Sequence, residues 1–215
     1  MKIGFVGLGT MGSAMATNLA SAGHHLVVND LHQASAESLL ATGAAWAATP
    51  AAVAFESEVI FTSLPGPAEV EAVALGADGI AAGATAGSAY FDLSTNSPTV
   101  MRRVHEQMTP LGVDVFDAPV SGGPAGAASG ALAIWVGGDA QAFERWGHVL
   151  DSFSDAPRHV GSIGAGSIAK LVHNLSGYIL QTALAETFTL GVKAGLDAES
   201  LWSAVRAGAV GRMRT

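Results

Sequence analysis

Three glycines spaced as Gly7-x-Gly9-x-x-Gly12 follow directly on the apolar run Ile3-Gly4-Phe5-Val6. Behind a strand, Gly7 allows a tight turn, Gly9 lets backbone N–H groups approach an anion with no side chain between, and Gly12 lets the next helix pack closely. The guest suited to this spacing is a pyrophosphate at the positive end of a helix. Thr10 to Ala22 is rich in helix formers and Gly23 suits its C-terminal side, so His25 to Asn29 becomes a second strand. Asp30 closes that strand about 20 residues past the glycines, where a carboxylate accepts from ribose hydroxyls. Gly7, Leu8, Gly9, Thr10, Met11, Gly12 and Asp30 are therefore candidate dinucleotide-binding residues.

Two further constellations carry polar chemistry. Asp117-Ala118-Pro119-Val120-Ser121-Gly122-Gly123 follows a predicted strand. Its glycines free backbone amides to face an anion and Ser121 adds a hydroxyl, so a substrate carboxylate is the natural guest, although Ser-Gly-Gly is also ordinary turn chemistry. Lys170 and Asn174 lie four apart on a predicted helix with few other charges, hence on one face and one turn from each other. A lysine on an apolar helix is usually a surface residue with its ammonium in water. Paired with an amide at a nucleotide site, it can instead be a lysine of lowered pKa that moves a proton. His173, on a neighbouring face, reads as structural.

Composition narrows the classes. A formal net charge of −8 argues against a nucleic-acid partner. The absence of cysteine excludes disulfides, thiolate nucleophiles and cysteine metal sites, and the seven histidines show no metal-ligand spacing, so no metal site is expected. Leu175 to Val192, the longest apolar stretch, is broken by Gln181 and Glu186 and reads as a buried helix rather than a membrane span. The first residues already form a strand, which leaves no room for a signal peptide and suggests a cytoplasmic protein.

The elements that must position these residues alternate along the first two-thirds of the chain. Helix is expected near 34–42, 67–75, 98–109 and 139–151, and strand near 44–48, 58–62, 89–93, 113–116 and 131–136. Residues 76–87 read as a loop around one short element. This rhythm implies a doubly wound, mostly parallel sheet with ligands at its C-terminal strand ends. Leu64-Pro65 and Ser94-Thr95 fall at such ends, where ligand contact and plain loop chemistry are equally open readings. A helix starts near Gly164 and reaches to about Ala194.

In this order the motifs resemble the β-hydroxyacid dehydrogenase family, most closely its 3-hydroxyisobutyrate dehydrogenase branch. Gly7-Leu8-Gly9-Thr10-Met11-Gly12 with Met15 and Asn18-Leu19 matches the family's opening, Asp117 to Gly123 its substrate loop, and Lys170 with Asn174 its active-site helix. The chain departs from the pattern at His173, where an asparagine is common, and at Trp135, where a smaller residue is usual. The resemblance implies that Lys170 is the catalytic acid/base, that Ser121, Gly122 and Gly123 hold a substrate carboxylate, and that Asn174 orients substrate and lysine. It also implies that Leu64, Pro65 and Thr95 contact the cofactor.

The implied fold is α/β, a Rossmann-type domain over residues 1–162, followed over 163–215 by a long interdomain helix and the start of an all-helical C-terminal domain. The implied reaction is hydride transfer between a nicotinamide and a small 3-hydroxy acid or its semialdehyde. Asp30, with no arginine beside it, favours NAD over NADP. An imine reductase shares the architecture but generally lacks the lysine, and a nucleotide-binding protein without catalysis is the rival of another class. A helix of about 30 residues, some 45 Å, is too long for the first domain to cover. Further helices and a second subunit, in a homodimer or homotetramer, are expected to cover it.

Overall fold

The computed structural model describes residues 1–209. Contacts divide the chain into two compact units, Met1–Leu171 and Val172 onward.

In the first unit, β1 (Lys2–Val6), β2 (His25–Asn29), β3 (Ala45–Trp46), β4 (Val59–Thr62), β5 (Ala89–Asp92) and β6 (Asp114–Asp117) pair in parallel in the order β3-β2-β1-β4-β5-β6. Beyond β6 come β8 (Ala133–Gly137), antiparallel to β6, then β7 (Val120–Ser121) and β9 (Arg158–Gly161), both paired with β8. This is the expected doubly wound sheet, with one edge reversed.

A ladder of phenylalanines sets its register. Phe5 is opposite Phe61, Phe61 opposite Phe91 and Phe91 opposite Phe116. All four side chains are fully buried, with successive ring centroids 6.0, 5.4 and 4.4 Å apart. Aromatic pairs of this kind add about 0.5–1.5 kcal/mol each beyond the area they bury. A slip of one residue would turn every ring to the opposite face, so the ladder also fixes where the four strands end.

Several helices begin at a proline or a side-chain cap, whereas α1 (Thr10–Ser21) has no side-chain cap. α1 follows β1, and α2 (Glu37–Ala41) follows β2 through a short 3-10 turn. α3 (Pro50–Phe55), α4 (Pro67–Leu75) and α6 (Pro98–Met108) each carry proline in the first turn, where its missing N–H costs nothing. Thr49 caps α3, its Oγ1 accepting from the Ala52 N–H at 3.1 Å. α5 (Ile80–Gly83) is the short element expected within 76–87.

Four elements went unread in the sequence: α3, β9, and the β7 strand and α7 (Gly123–Ser129) in the segment read as either a carboxylate-binding loop or a turn. Residues 139–151 divide into α8 (Ala140–Trp146) and a 3-10 helix over Gly147–Ser152.

α9 (Ala165–Lys193) is one continuous helix that begins in the first unit and continues in the second. Within the second unit α10 (Ala198–Ala207) folds back on the end of α9, with Leu201 against Gly191 and the Phe188 and Trp202 rings 5.7 Å apart.

Candidate functional site

The parallel order of the sheet brings five loops side by side at its C-terminal edge. From β2 to β6 they carry Asp30, the Gly7 turn, Leu64, Thr95 and then Asp117 to Gly123. Strands about 4.8 Å apart spread these positions over roughly 19 Å.

The glycine turn is built as its spacing requires. Gly7 has φ +93°, its N–H donates to the Asn29 carbonyl at 2.9 Å, and a Cβ there would strike the Ser63 carbonyl. A Cβ on Gly12 would strike the Gly7 carbonyl, so only glycine lets α1 sit this close to the turn. At Gly9 the opposite holds, because a Cβ would meet nothing within 4 Å. This open face precedes the first turn of α1, which has no side-chain cap, so its leading N–H groups are available to an anion. Thr10 is exposed beside it and Met11 half-buried. Leu8 differs from its neighbours, for its side chain lies in the core and its N–H donates to Asp30 Oδ2 at 2.7 Å. Asp30 Oδ1 accepts from the His32 N–H at 2.9 Å. The carboxylate is thereby fixed next to the turn, and turn, helix start and acid together fit the pyrophosphate and ribose of a dinucleotide.

A buried polar cluster joins the next two loops. Asp92, fully buried at the end of β5, accepts from the Thr62 hydroxyl (2.8 Å), the Ser94 N–H (3.2 Å) and Asn96 Nδ2 (2.8 Å). Thr62 in turn accepts from the Tyr90 hydroxyl at 2.9 Å. The Leu64 N–H donates to Ser94 Oγ at 2.9 Å, which ties the β4 loop to the β5 loop. Burial pushes the Asp92 carboxyl up against the pull of its hydrogen bonds, and pushes Tyr90 well above the ordinary phenol range with the Asp92 charge adding to it. Leu64 is half-buried, while Pro65 and Thr95 are exposed at the edge.

Asp117 organises the last part. It ends β6 only 1% exposed, and its carboxylate accepts from the Gly164 N–H at 2.7 Å and the Ser167 N–H at 2.6 Å. Burial raises this carboxyl too, opposed by the same two N–H groups. From Asp117 the chain runs through Pro119, whose carbonyl accepts from the Trp135 N–H at 3.4 Å, to Ser121, which ends β7 two residues before α7. Gly122 (φ +142°) and Gly123 (φ +62°) hold conformations suited to glycine and are exposed.

Lys170, 8% exposed, stands one turn beyond Ser167, and burial alone lowers its affinity for a proton. Asn174 follows on the same helix and falls in the second unit. Thus the sequence-derived residues of the first unit come together along one edge. Sequence reasoning missed the roles of Asp92 and Asp117. The available signal was an acid closing an apolar strand just before a candidate loop. Among the described residues no three metal-ligating side chains cluster, and no helix is long and apolar enough to cross a membrane.

Comparison with known proteins agrees with this geometry. Residues 2–170 match the family model described as the NAD binding domain of 6-phosphogluconate dehydrogenase. The chain is 39% identical over 205 residues to an NAD-dependent L-serine dehydrogenase of Pseudomonas aeruginosa, covering 95% of this chain and 69% of that protein. The solved structure of Mycobacterium tuberculosis 3-hydroxyisobutyrate dehydrogenase with L-serine superposes with a TM-score of 0.90 at 35% identity, covering 97% of this chain and 71% of that one. A structure titled Psf3 in complex with NADP+ and 2-OPP is similar at a TM-score of 0.85 and 28% identity, over 95% or more of this chain (97%) and 74% of its own. The chain belongs to the β-hydroxyacid dehydrogenase family, oxidoreductases that carry a nicotinamide cofactor on a Rossmann-type domain.

Proposed function

We propose that the protein transfers a hydride between a nicotinamide, NAD in preference to NADP, and the carbinol carbon of a small 3-hydroxy acid of the 3-hydroxyisobutyrate or serine kind, or the matching semialdehyde. The observation that carries this reading is Lys170, a desolvated lysine on the helix whose first turn is bonded to the Asp117–Gly123 segment. Two of the relatives, the L-serine dehydrogenase and the 3-hydroxyisobutyrate dehydrogenase, are named for compounds with a hydroxyl β to a carboxylate.

In this reading Gly7, Gly9 and the Thr10–Gly12 turn receive the pyrophosphate, and Asp30 accepts from the adenosine ribose. Leu64, Pro65 and Thr95 line the same edge toward the nicotinamide. Bound nicotinamide supplies the hydride acceptor, or the donor in the reverse direction. The Ser121 hydroxyl and the Gly122 and Gly123 amides hold the substrate carboxylate, and Asn174 orients the substrate. Lys170, neutral before oxidation, accepts the hydroxyl proton through Nζ; as the ammonium it returns that proton during reduction. The chain's own contribution is alignment and proton transfer, with the carboxylate as the handle. Asp30 sets the cofactor preference, since a 2′-phosphate would face a fixed carboxylate and Leu31 offers no charge to offset it.

Initial rates of NAD and NADP reduction with a panel of 3-hydroxyisobutyrate, L-serine, threonate and related acids test this reading. Turnover of at least one such acid, with the lower KM for NAD, is expected. A protein that binds NAD yet oxidises none of them would refute the reaction, and tighter binding of NADP would refute the preference.

A further inference from the structure

We propose that Asp117 is the positioning residue of the proton-transfer lysine: its carboxylate seats the first turn of α9 on the end of β6 and so fixes the depth at which Lys170 is held. The inference rests on the acid–base reading of Lys170 given above. It concerns a residue at the start of the substrate segment that touches neither substrate nor cofactor in that reading.

The first N–H groups of any helix lack intrahelical partners. At α9 two of them, on Gly164 and Ser167, are taken by one carboxylate that arrives from 47 and 50 residues earlier in the chain. An anion at the positive end of a 29-residue helix is favoured by the aligned peptide dipoles, and N–H bonds to an ionised acceptor are stronger than neutral ones.

The fit is tight on both sides of the contact. A Cβ on Gly166 would strike the carbonyls of Asp117 and Trp135, and a Cβ on Gly137 would strike Asp117 Oδ1 and lie 2.9 Å from the Ala165 and Gly166 nitrogens. The helix is therefore pressed against the strand end with no room for a methyl group.

Gly166 and Lys170 are four residues apart, so the helix face that meets the strand end is the face that buries the lysine. No neighbouring charge contributes to the lowered proton affinity of Lys170; burial is its cause. Were the first turn to lift, water would reach the ammonium and the lysine would return toward ordinary behaviour. The residues after Asp117 lead within four positions to Ser121. One side chain thus ties the lysine to the segment that holds the substrate.

The chain has three lysines, Lys2, Lys170 and Lys193, so the Cε resonance of each can be followed by NMR against pH. In the native chain Lys170 is expected to titrate below the ordinary lysine range. In Asp117→Asn, whose amide nitrogen turns a donor toward a backbone N–H, Lys170 is expected to move back up toward the ordinary lysine range. The rate of 3-hydroxy acid oxidation should fall by up to about a hundredfold, as expected for a misplaced catalytic group, while NAD affinity stays the same. A less stable variant in which Lys170 titrates as before and the pH profile of kcat is unmoved would assign Asp117 a purely structural role and overturn the proposal. Should Asp117→Asn not fold, the native chain in sub-denaturing urea decides. Acetylation of Lys170 and exchange of the Ser167 amide rising together support the seating, and a lysine that reacts while that amide stays protected overturns it. The NMR titration needs no turnover. If Lys170→Ala proves fully active, the acid–base reading fails while the seating is still judged on its own.

Discussion

Lys170 presents a side chain that ordinarily seeks water in a place where water is largely excluded. Because burial lowers its proton affinity, the neutral form needed for oxidation is reached at a lower pH than for an exposed lysine. The rate of 3-hydroxy acid oxidation is therefore expected to rise with pH through that lowered value, and semialdehyde reduction to fall through the same range. Coincident slopes in the two directions would contradict a single acid–base lysine. Lys170→Ala should cost about 10²–10⁴-fold in kcat, the usual span for general acid–base catalysis, with NAD binding nearly unchanged in a fluorescence titration. Near-normal kcat would mean that the side chain is buried for packing alone. Asp30→Asn removes the charge that faces the ribose but keeps an acceptor. It should weaken NAD modestly and narrow the gap to NADP, as read from the two dissociation constants.

At the scale of elements, the strands matter chiefly through where they stop. Phe61 sits in the middle of the phenylalanine ladder and also meets the edge of Phe153 at 5.7 Å. Phe61→Ala is expected to cost about 3–5 kcal/mol in urea unfolding, the range for removing a buried aromatic ring. A loss under about 1 kcal/mol would mean that the ladder repacks. Gly12→Ala should abolish NAD binding, since its methyl group meets the Gly7 carbonyl and drives α1 off the turn. Thr49→Ala, at a cap remote from that turn, should cost about 1 kcal/mol and leave the NAD dissociation constant as it was.

Strong local signals made much of this legible in the sequence. β2 and the extent of α9 follow from an apolar run between breakers and from a long stretch without proline, and Gly7, Gly12 and Asp30 from their spacing. What escaped depends on distant partners. β7 and β9 are short strands defined by pairing with β8, and α7 begins in a Ser-Gly-Gly-Pro sequence that local rules assign to a turn. Asp117 escaped for the same reason, because both its partners lie beyond residue 163.

The whole molecule leaves apolar surface in water. Leu175, Tyr178, Ile179 and Leu190 of α9 are 58–71% exposed (60%, 66%, 58% and 71%). A contiguous exposed apolar surface of this kind is characteristic of an interaction site. Light scattering is expected to give a mass above that of the 21.6 kDa chain, and a stable monomer at high concentration would contradict self-association. The order of the proposed site residues along the chain carries a different consequence, one of timing. Every residue assigned to the cofactor lies within the first 95, whereas Ser121 and Lys170 come later. A ribosome releases the chain from its N-terminus at about 5–20 residues per second, and N-terminal parts fold first. On the proposed assignment the cofactor residues thus leave the ribosome seconds before Lys170, and because Lys170 belongs to the same compact unit, the nucleotide cradle and the proton-transfer group are completed together only when that unit closes.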